Sequence, residues 1–290
     1  MKALVVPTYN RKNHLDNFLN CILNQTKKPD VIIVVNDNSN DGTKELLELK
    51  FPDIIQIIGT GDLWWTGSVN KGIDYVLKNF PNVTGIVLQN DDVFVKPDWF
   101  ENLMHVAELN TNALIGCVAV DIAKPEIISY AGSTHNTWFA FMKKFHIGKN
   151  LSSFSSDMVQ PAFDLIGRGC YIPVEVFNKI GLYDEIHFKH RGDTELPLRA
   201  RIYEGYELLV TFKAVVYIDP TETSQIDTKF YSIGDLYEFF FDFRSSAFWK
   251  YRFYYAKIVA NNNYFQWFFF FTFRMLLHIV KFISKIKIFN

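Results

Sequence analysis

Three short polar clusters hold the residue types from which a site handling phosphate and protons can be built. They are Pro7-Thr8-Tyr9-Asn10, the run "NDNSNDGT" at 36–43 that contains Asp37, and Asn90-Asp91-Asp92. Adjacent carboxylates repel one another, so Asp91-Asp92 calls for something to offset that cost. A hard divalent cation with oxygen ligands would do so, and Mg²⁺ or Mn²⁺ commonly bridges such carboxylates to substrate phosphates. A solvated acidic turn is the other reading of the pair. "NDNSNDGT" alone is also what a plain turn looks like, because Asn, Asp, Ser and Gly are turn formers. The three clusters gain weight from their position, since each follows an apolar run.

Those runs are "ALVV" (3–6), "VIIVV" (31–35), "IIQII" (54–58) and "GIVLQ" (85–89), and they read as buried strands. Between the first two, Leu15, Phe18, Leu19, Ile22 and Leu23 share one helical face. A second helix runs through Val69, Ile73, Val76 and Leu77, and a third begins after Lys96 with Pro97 in its first turn. Strands and helices alternating in this way predict an α/β fold, a mostly parallel sheet flanked by helices. In such sheets ligands sit at the carboxyl ends of the strands, where all three clusters fall. Residues 111–165 are less regular, and "GKNLSSFSSD" reads as a mobile loop. Further on, Pro173 opens a helix that Gly181 closes, and "ELPLRARIYEGYE" reads as another. Ser232 and Asp235 have the spacing of a helix-start pair, followed by a long helix with Leu236, Phe239, Phe240, Phe243 and Ala247 on one side.

Composition narrows the function classes. The chain has 290 residues, 49% apolar and 21% charged, which excludes a disordered chain. A net charge of −1 argues against a nucleic-acid partner. Cys21, Cys117 and Cys170 are far apart and odd in number, so neither a disulfide scaffold nor a zinc site is expected, and a reducing compartment fits. The opening residues read as a first strand and not as a secretory leader, so a cytoplasmic location is expected.

The end of the chain differs in kind. No acidic residue follows Asp242, whereas positions 243–290 hold eight Lys or Arg and seventeen aromatics. Residues 1–242 carry 22 basic against 31 acidic side chains, a formal −9, opposed by +8 beyond. Such asymmetry points to an anionic membrane surface. The most apolar stretch, 264–282, is interrupted by Arg274 and His278, so it reads as a helix lying in the membrane interface and not crossing it. Packing on the domain, or in a homo-oligomer contact, is the alternative.

With its motifs in order, the chain resembles the family 2 glycosyltransferases, enzymes of the GT-A fold. "VVPTYNRKNHLDNFLNCILNQTKKPDVIIVVNDNSNDGT" is similar to that family's opening, "LQNDDV" to its metal motif, and "GDLWWTGSVNKGI" to the loop between two nucleotide-binding strands. "FDLIGRGCYIPVEVFNKIGLYDEIHFKHRGDTELPLRARIYEGYEL" is similar to its acceptor-side segment. The "WWTGS" and "GRG" pieces look most like rhamnosyltransferase-type enzymes of surface-polysaccharide assembly. The resemblance spans about residues 1–220. It implies a GT-A domain over 1–225, with 226–290 a helical, basic and aromatic appendage.

By resemblance, Pro7, Thr8, Tyr9 and Asn10 lie at the nucleotide, and Asp37 accepts a hydrogen bond from its base. Asn90 and Asp91 stand beside the ribose or metal-bound water, and Asp92 coordinates Mg²⁺ or Mn²⁺. Asn70 helps close the diphosphate pocket, and Asp193, in "RGDTEL", is the general base of an inverting transfer. The implied donor is a nucleotide sugar of the dTDP-rhamnose or UDP-hexose type. The implied acceptor is a lipid-linked glycan at the inner membrane face, in O-antigen or capsule synthesis. Asp193 is equally placed to cap the helix after it, and Glu195 is a second candidate base. Trp64 or Trp65 reads either as a wall of the sugar pocket or as core, and Arg168 either as an acceptor or diphosphate contact or as a surface turn. His187 and His190 read as loop residues near the acceptor.

The chain departs from the family at Gly192, where an acidic residue is common, and in "VVYIDPTETS", where a metal-binding histidine is common and Asp219 is the nearest candidate ligand, with His187 or His190 as the other possible help. A nucleotidyltransferase and a non-catalytic nucleotide-sugar-binding subunit therefore stand as alternatives. The first is disfavoured by the lack of a glycine- and lysine-rich loop after the first strand.

Overall fold

The computed structural model describes residues 1–219 and 233–285. The first half follows the apolar spacing. β1 (Lys2–Thr8), α1 (Lys12–Leu23), β2 (Val31–Asn36), α2 (Thr43–Lys50), β3 (Ile55–Ile58), α3 (Trp64–Asn79) and β4 (Gly85–Leu88) alternate along the chain. The four strands lie parallel in the order β4-β1-β2-β3. Successive side chains of β1 feed opposite cores, as the pleat requires. Ala3 and Val5 pack with Val69, Ile73 and Val76 of α3. Leu4 and Val6 pack with Leu15, Phe18, Leu19 and Ile22 of α1. Helix α3 approaches the sheet closely at Gly72, where a Cβ would stand 2.5 Å from Val5 Cγ1.

The second half adds β5 (Val93–Val95), α4 (Trp99–Leu109), β6 (Ala113–Asp121), β7 (Lys124–Tyr130), β8 (Ser133–His135), β9 (Met142–Lys144), β10 (Val159–Pro161), β11 (Cys170–Pro173), α5 (Val174–Ile180), α6 (Glu195–Glu204) and β12 (Glu207–Ile218). The long path through the sheet runs β10-β12-β6-β11-β4-β1-β2-β3. Strand β11 is antiparallel to both β4 and β6 and joins the two halves. Strand β12 is parallel to β6 over most of its length.

Residues 111–165 are more ordered than the sequence suggests. Strand β6 is nine residues long and buried up to Asp121, and β8 pairs with β9 in a separate hairpin. The expected mobile loop holds a short helical turn at Leu151–Ser153, and its Leu151 and Phe154 pack on the core. Polar composition concealed these two anchors.

At the C-terminal end lie α7 (Leu236–Phe241), α8 (Trp249–Ala260) and α9 (Tyr264–Lys285). The single long helix expected here is broken after Phe241. Asp242 turns to extended backbone and accepts the Arg244 N–H at 2.8 Å, while Ser245 Oγ donates to the Phe239 carbonyl at 2.6 Å. Ser232, half of the expected helix-start pair, lies outside the described residues. Helix α8 is not a detached appendage: Tyr255, Ala256, Ile258 and Val259 share a core with Phe163, Phe188, Leu198 and Phe270 of α9. All three cysteines are free.

Candidate active site

Parallel pairing brings the strand ends together. Thr8 is level with Asn36, and Val5 with Leu88, so Asp37 and Asn90-Asp91-Asp92 emerge at one edge of the sheet beside Pro7-Thr8-Tyr9. A cavity of about 550 Å³ opens there. Its walls include Pro7, Thr8, Tyr9, Asp37, Trp64, Trp65, Asn90, Asp91, Asp92, Arg168 and His190 among the residues singled out from sequence, together with Arg11. Cavities of this size hold small-molecule ligands.

Arg11 is the residue that sequence reading passed over. Its Nη1 stands 2.9 Å from Asp92 Oδ2 and 3.4 Å from Asp91 Oδ1, with Arg168 Nη2 3.8 Å from Asp92 Oδ2. The signal was present, because Arg11 starts α1, where a cation opposes the helix dipole and needs an acidic partner elsewhere. Thr8 Oγ1 donates to Asp91 Oδ2 at 2.6 Å. Asp91 is 3% exposed, and burial pushes its carboxyl up to about 6 against the pull of Thr8 and Arg11. Asp92 Oδ1 is buried with no hydrogen-bond partner. Burial, with help from Arg191 and Arg244, holds His190 down to about 4, so it is neutral at pH 7.

These features test whether the site suits a divalent cation. Three wall carboxylates face two guanidinium groups, which leaves the cavity negative by one formal charge and poorly matched to a nucleoside diphosphate. The unpartnered Asp92 Oδ1 is a hard oxygen ligand in want of a cation. The residues fit. Among the described residues no group of three or more His, Cys, Asp or Glu assembles, so Asp219 does not complete a ligand set with Asp91 and Asp92. Remaining coordination positions would fall to phosphate and water, as is usual for Mg²⁺.

One prediction follows from the Arg11 contacts. Arg11→Gln should lower stability in metal-free buffer by roughly 1–2 kcal/mol, less than a fully buried pair would lose, because the arginine is partly exposed. Mn²⁺ should raise the variant's melting temperature by more than it raises that of the wild type. Equal shifts, read by differential scanning fluorimetry, would argue that arginine and metal do not share these carboxylates.

Asp37 is committed to its own loop. Oδ1 accepts the Gly61 N–H at 2.7 Å, and Oδ2 accepts those of Leu63 at 2.9 Å and Trp64 at 3.3 Å. Gly59 passes so near that a Cβ would lie 2.4 Å from Asp37 Oδ1. The clamp holds Trp64 at φ +58°, a conformation bulky residues seldom adopt. Trp64 stands edge-on to His190 and Phe243, with ring centroids 5.4 and 4.8 Å away. Trp65 Nε1 donates to Asn90 Oδ1 at 2.9 Å.

Asp193 lies one residue behind the wall. Its Oδ2 accepts the Gly167 N–H at 3.3 Å, next to Arg168 of the cavity. A Cβ on Gly167 would meet Trp65 at 2.3 Å and Asp193 Cβ at 3.2 Å, so only glycine lets these three elements close up. Burial raises the Asp193 carboxyl above the usual range, opposed by Gly167, Arg168 and Arg191. The departure at Gly192 has a packing cause. A Cβ there would stand 2.2 Å from Thr66 Oγ1, which donates to the Phe188 carbonyl, and 2.7 Å from that carbonyl itself.

Four expected site residues are placed otherwise. Asn70 does not line the cavity: its amide donates to the Tyr183 carbonyl and Glu185, and its oxygen accepts the Tyr183 N–H, pinning the 183–185 segment. Glu195 is 1% exposed, pairs with Arg199 at 2.7 Å and accepts the Asp184 N–H, a structural brace and not a base. Asn10 ties the loop after β1 to the loop after β2 through Ser39 and Asn40 and is not part of the wall. His187 stacks on Tyr254 and hydrogen-bonds Asp184, apart from the cavity.

The fold and strand-end cavity define a GT-A glycosyltransferase architecture, and comparison with solved structures agrees. The chain aligns with a mannosyltransferase from Pyrobaculum calidifontis in complex with GDP-Man and Mn²⁺ at TM-score 0.55, 14% identity, over 89% of this chain and 61% of that one. It aligns with GalNAc-T7, solved with UDP, GalNAc and Mn²⁺, at TM-score 0.59, 13% identity, over 91% and 58%. Identity this low speaks for fold alone. The model of glycosyl transferase family 2 matches residues 3–163, more than half of the chain, and the protein belongs to that family. Uncharacterized glycosyltransferases of Rickettsia typhi and Rickettsia prowazekii are 25% and 26% identical over 220 residues, 72% of this chain. The chain spans 62% of the length of each.

Proposed function

We propose that the protein is an inverting glycosyltransferase that moves a sugar from a nucleotide-sugar donor to a lipid-linked or polysaccharide acceptor. The observation that carries this is the convergence of Asp37, Asp91 and Asp92 on one cavity, with Asp193 fastened to its far wall through Gly167. Tyr9 and Asp37 border the nucleotide, and Arg11 and Arg168 lie against the diphosphate. Asp92, with Asp91 beside it, would hold Mg²⁺ or Mn²⁺, which supplies charge neutralisation of the departing nucleoside diphosphate. Asp193 takes the acceptor hydroxyl proton as that oxygen attacks the anomeric carbon from the opposite face. Residues 1–225 form the catalytic domain, and 226–290 bring it to the cytoplasmic face of a membrane where the acceptor is anchored. The sugar is a rhamnosyl or hexosyl group of cell-surface glycan assembly.

The test is turnover against a panel of dTDP-, UDP- and GDP-sugars with Mn²⁺, with the anomeric configuration of the product read by NMR. An inverted linkage is expected, and a retained one or pyrophosphate release from a nucleoside triphosphate overturns the reading. The pH profile carries a further expectation. Asp193 must be ionised to act, and burial raises its pKa, so kcat/KM should fall on acidification through a midpoint above the ordinary carboxylate value of about 4.

A further inference from the structure

Helix α9 is built inside out for a protein surrounded by water. The line Phe270, Arg274, His278, Phe282 faces the protein: Phe270, His278 and Phe282 are buried, and Arg274 acts on Asp164 and His135 below. The opposite line is exposed and almost wholly apolar, with Phe265 77%, Phe268 55%, Leu276 48%, Val280 64% and Ile283 52% accessible. A water-facing helix puts its charges outward. Although α9 is long and apolar enough to cross a bilayer, the domain covers one side at both ends. Trp267 and Phe271 pack on Phe253 of α8, and Phe282 packs on Phe239 of α7. Such a helix cannot thread a bilayer without drawing the domain in, so it lies along the surface.

A second element continues this face. In the β8–β9 hairpin Trp138, Phe139, Phe141 and Met142 are between 43% and 58% exposed. Trp138 meets Phe269 at a centroid distance of 6.3 Å, Phe139 meets Phe273 at 5.0 Å, and Gln266 Nε2 donates to the Thr137 carbonyl at 3.2 Å. Lys143 and Lys144 are exposed at the base of the hairpin, and no acidic residue occurs in α8 or α9. Exposed aromatics flanked by lysines match the headgroup region of an anionic bilayer.

We infer that the hairpin tip 137–142 and the outer face of α9 form one continuous platform that inserts into the surface of an anionic lipid bilayer, with the hairpin as a second anchor. This rests on the membrane-side reading above and deepens it. Helix α8 lies between the platform and the candidate base. Tyr251 Oη is 3.2 Å from Thr194 Oγ1, beside Asp193, and Tyr255 Oη donates to Asp164 at 3.2 Å. A lipid-borne acceptor would therefore arrive on the Asp193 side of the site.

The experiment is flotation of the full chain with phosphatidylcholine vesicles, with and without phosphatidylglycerol. Trp138→Ser/Phe141→Ser, two exposed positions away from the cavity, should weaken partitioning onto phosphatidylglycerol vesicles at least about tenfold. Donor hydrolysis in detergent should stay at the wild-type level. Phe265→Ser/Val280→Ser should do the same. Wild-type flotation by the hairpin variant, or equal binding to neutral and anionic vesicles, overturns the inference. So does a vesicle-free dimer that either variant dissociates, because a second copy would then cover this face. Flotation requires no catalysis, so a failed glycosyltransferase reading would show as absent turnover with flotation intact.

Discussion

Asp193→Asn should abolish transfer while leaving the molecule folded and able to bind donor. A positioned general base contributes about 10²–10⁴-fold, and the amide cannot take the proton. The expected loss is therefore at least about 10³-fold in kcat, since Asp37 is held by backbone N–H groups, Asp91 and Asp92 face Arg11 and Arg168, and His190, held down to about 4, is a weak base. Glu195, the other acid of this segment, is tied up by Arg199 and the Asp184 N–H. The substitution is close to isosteric, and the Asn oxygen can still accept the Gly167 N–H, so the wall formed by Gly167 and Trp65 should hold. Because the wild-type carboxyl is itself strained by burial, the melting temperature should not fall. Single-turnover transfer with a matched donor titration separates chemistry from binding. Full activity would remove Asp193 from the reaction, and loss of donor affinity in equal measure would reassign it to binding.

Asp92→Asn should be the second most damaging change. It keeps the volume and removes the charge that faces Arg11 and Arg168. Electrostatic stabilisation of a leaving group is typically worth about 10²–10³-fold per contact, and a loss of that order is expected in kcat/KM. The distinguishing readout is Mn²⁺ affinity in the presence of a nucleoside diphosphate, measured by electron paramagnetic resonance, which should weaken by about tenfold or more when one carboxylate ligand is lost. Unchanged Mn²⁺ binding would place the cation elsewhere. Removal of Mg²⁺ and Mn²⁺ with a chelator should reproduce the kinetic defect in the wild type and add little to the variant.

Much of the site's scaffold could be read from the chain because its cause is local. Apolar runs of four or five residues, with helix-period segments between them, define β1 to β4 and the helices between. Polar clusters just past those runs then fall at one sheet edge. Asp91-Asp92 stood out because paired charge at a strand end is costly. What escaped depends on contacts between residues distant in sequence. Arg11 declares its partners only when β4 is placed beside β1. Asn70 and Glu195 look like site residues until the 183–185 segment folds over them. The β8–β9 hairpin has strands of three residues each, too short for alternation to show. The break after Phe241 comes from side-chain hydrogen bonds of Asp242 and Ser245 that no periodicity encodes.

The place of β11 in the sheet has a consequence for how the chain reaches its native state. Four residues, Cys170–Pro173, form the seam between the β4 side and the β6 side, and β12, still later in the chain, completes the far half. During synthesis the first four strands can assemble as soon as they emerge, whereas β6, beyond its short pairing with β7, must wait for β11 and then β12. Such late, long-range closure is slow and leaves strand edges bare in the interval. Fragments that stop at the end of the family-matched stretch, residue 163, lack the seam altogether and should be recovered as aggregates, whereas every strand of the sheet finds its partner only once the chain extends through β12, to Ile218.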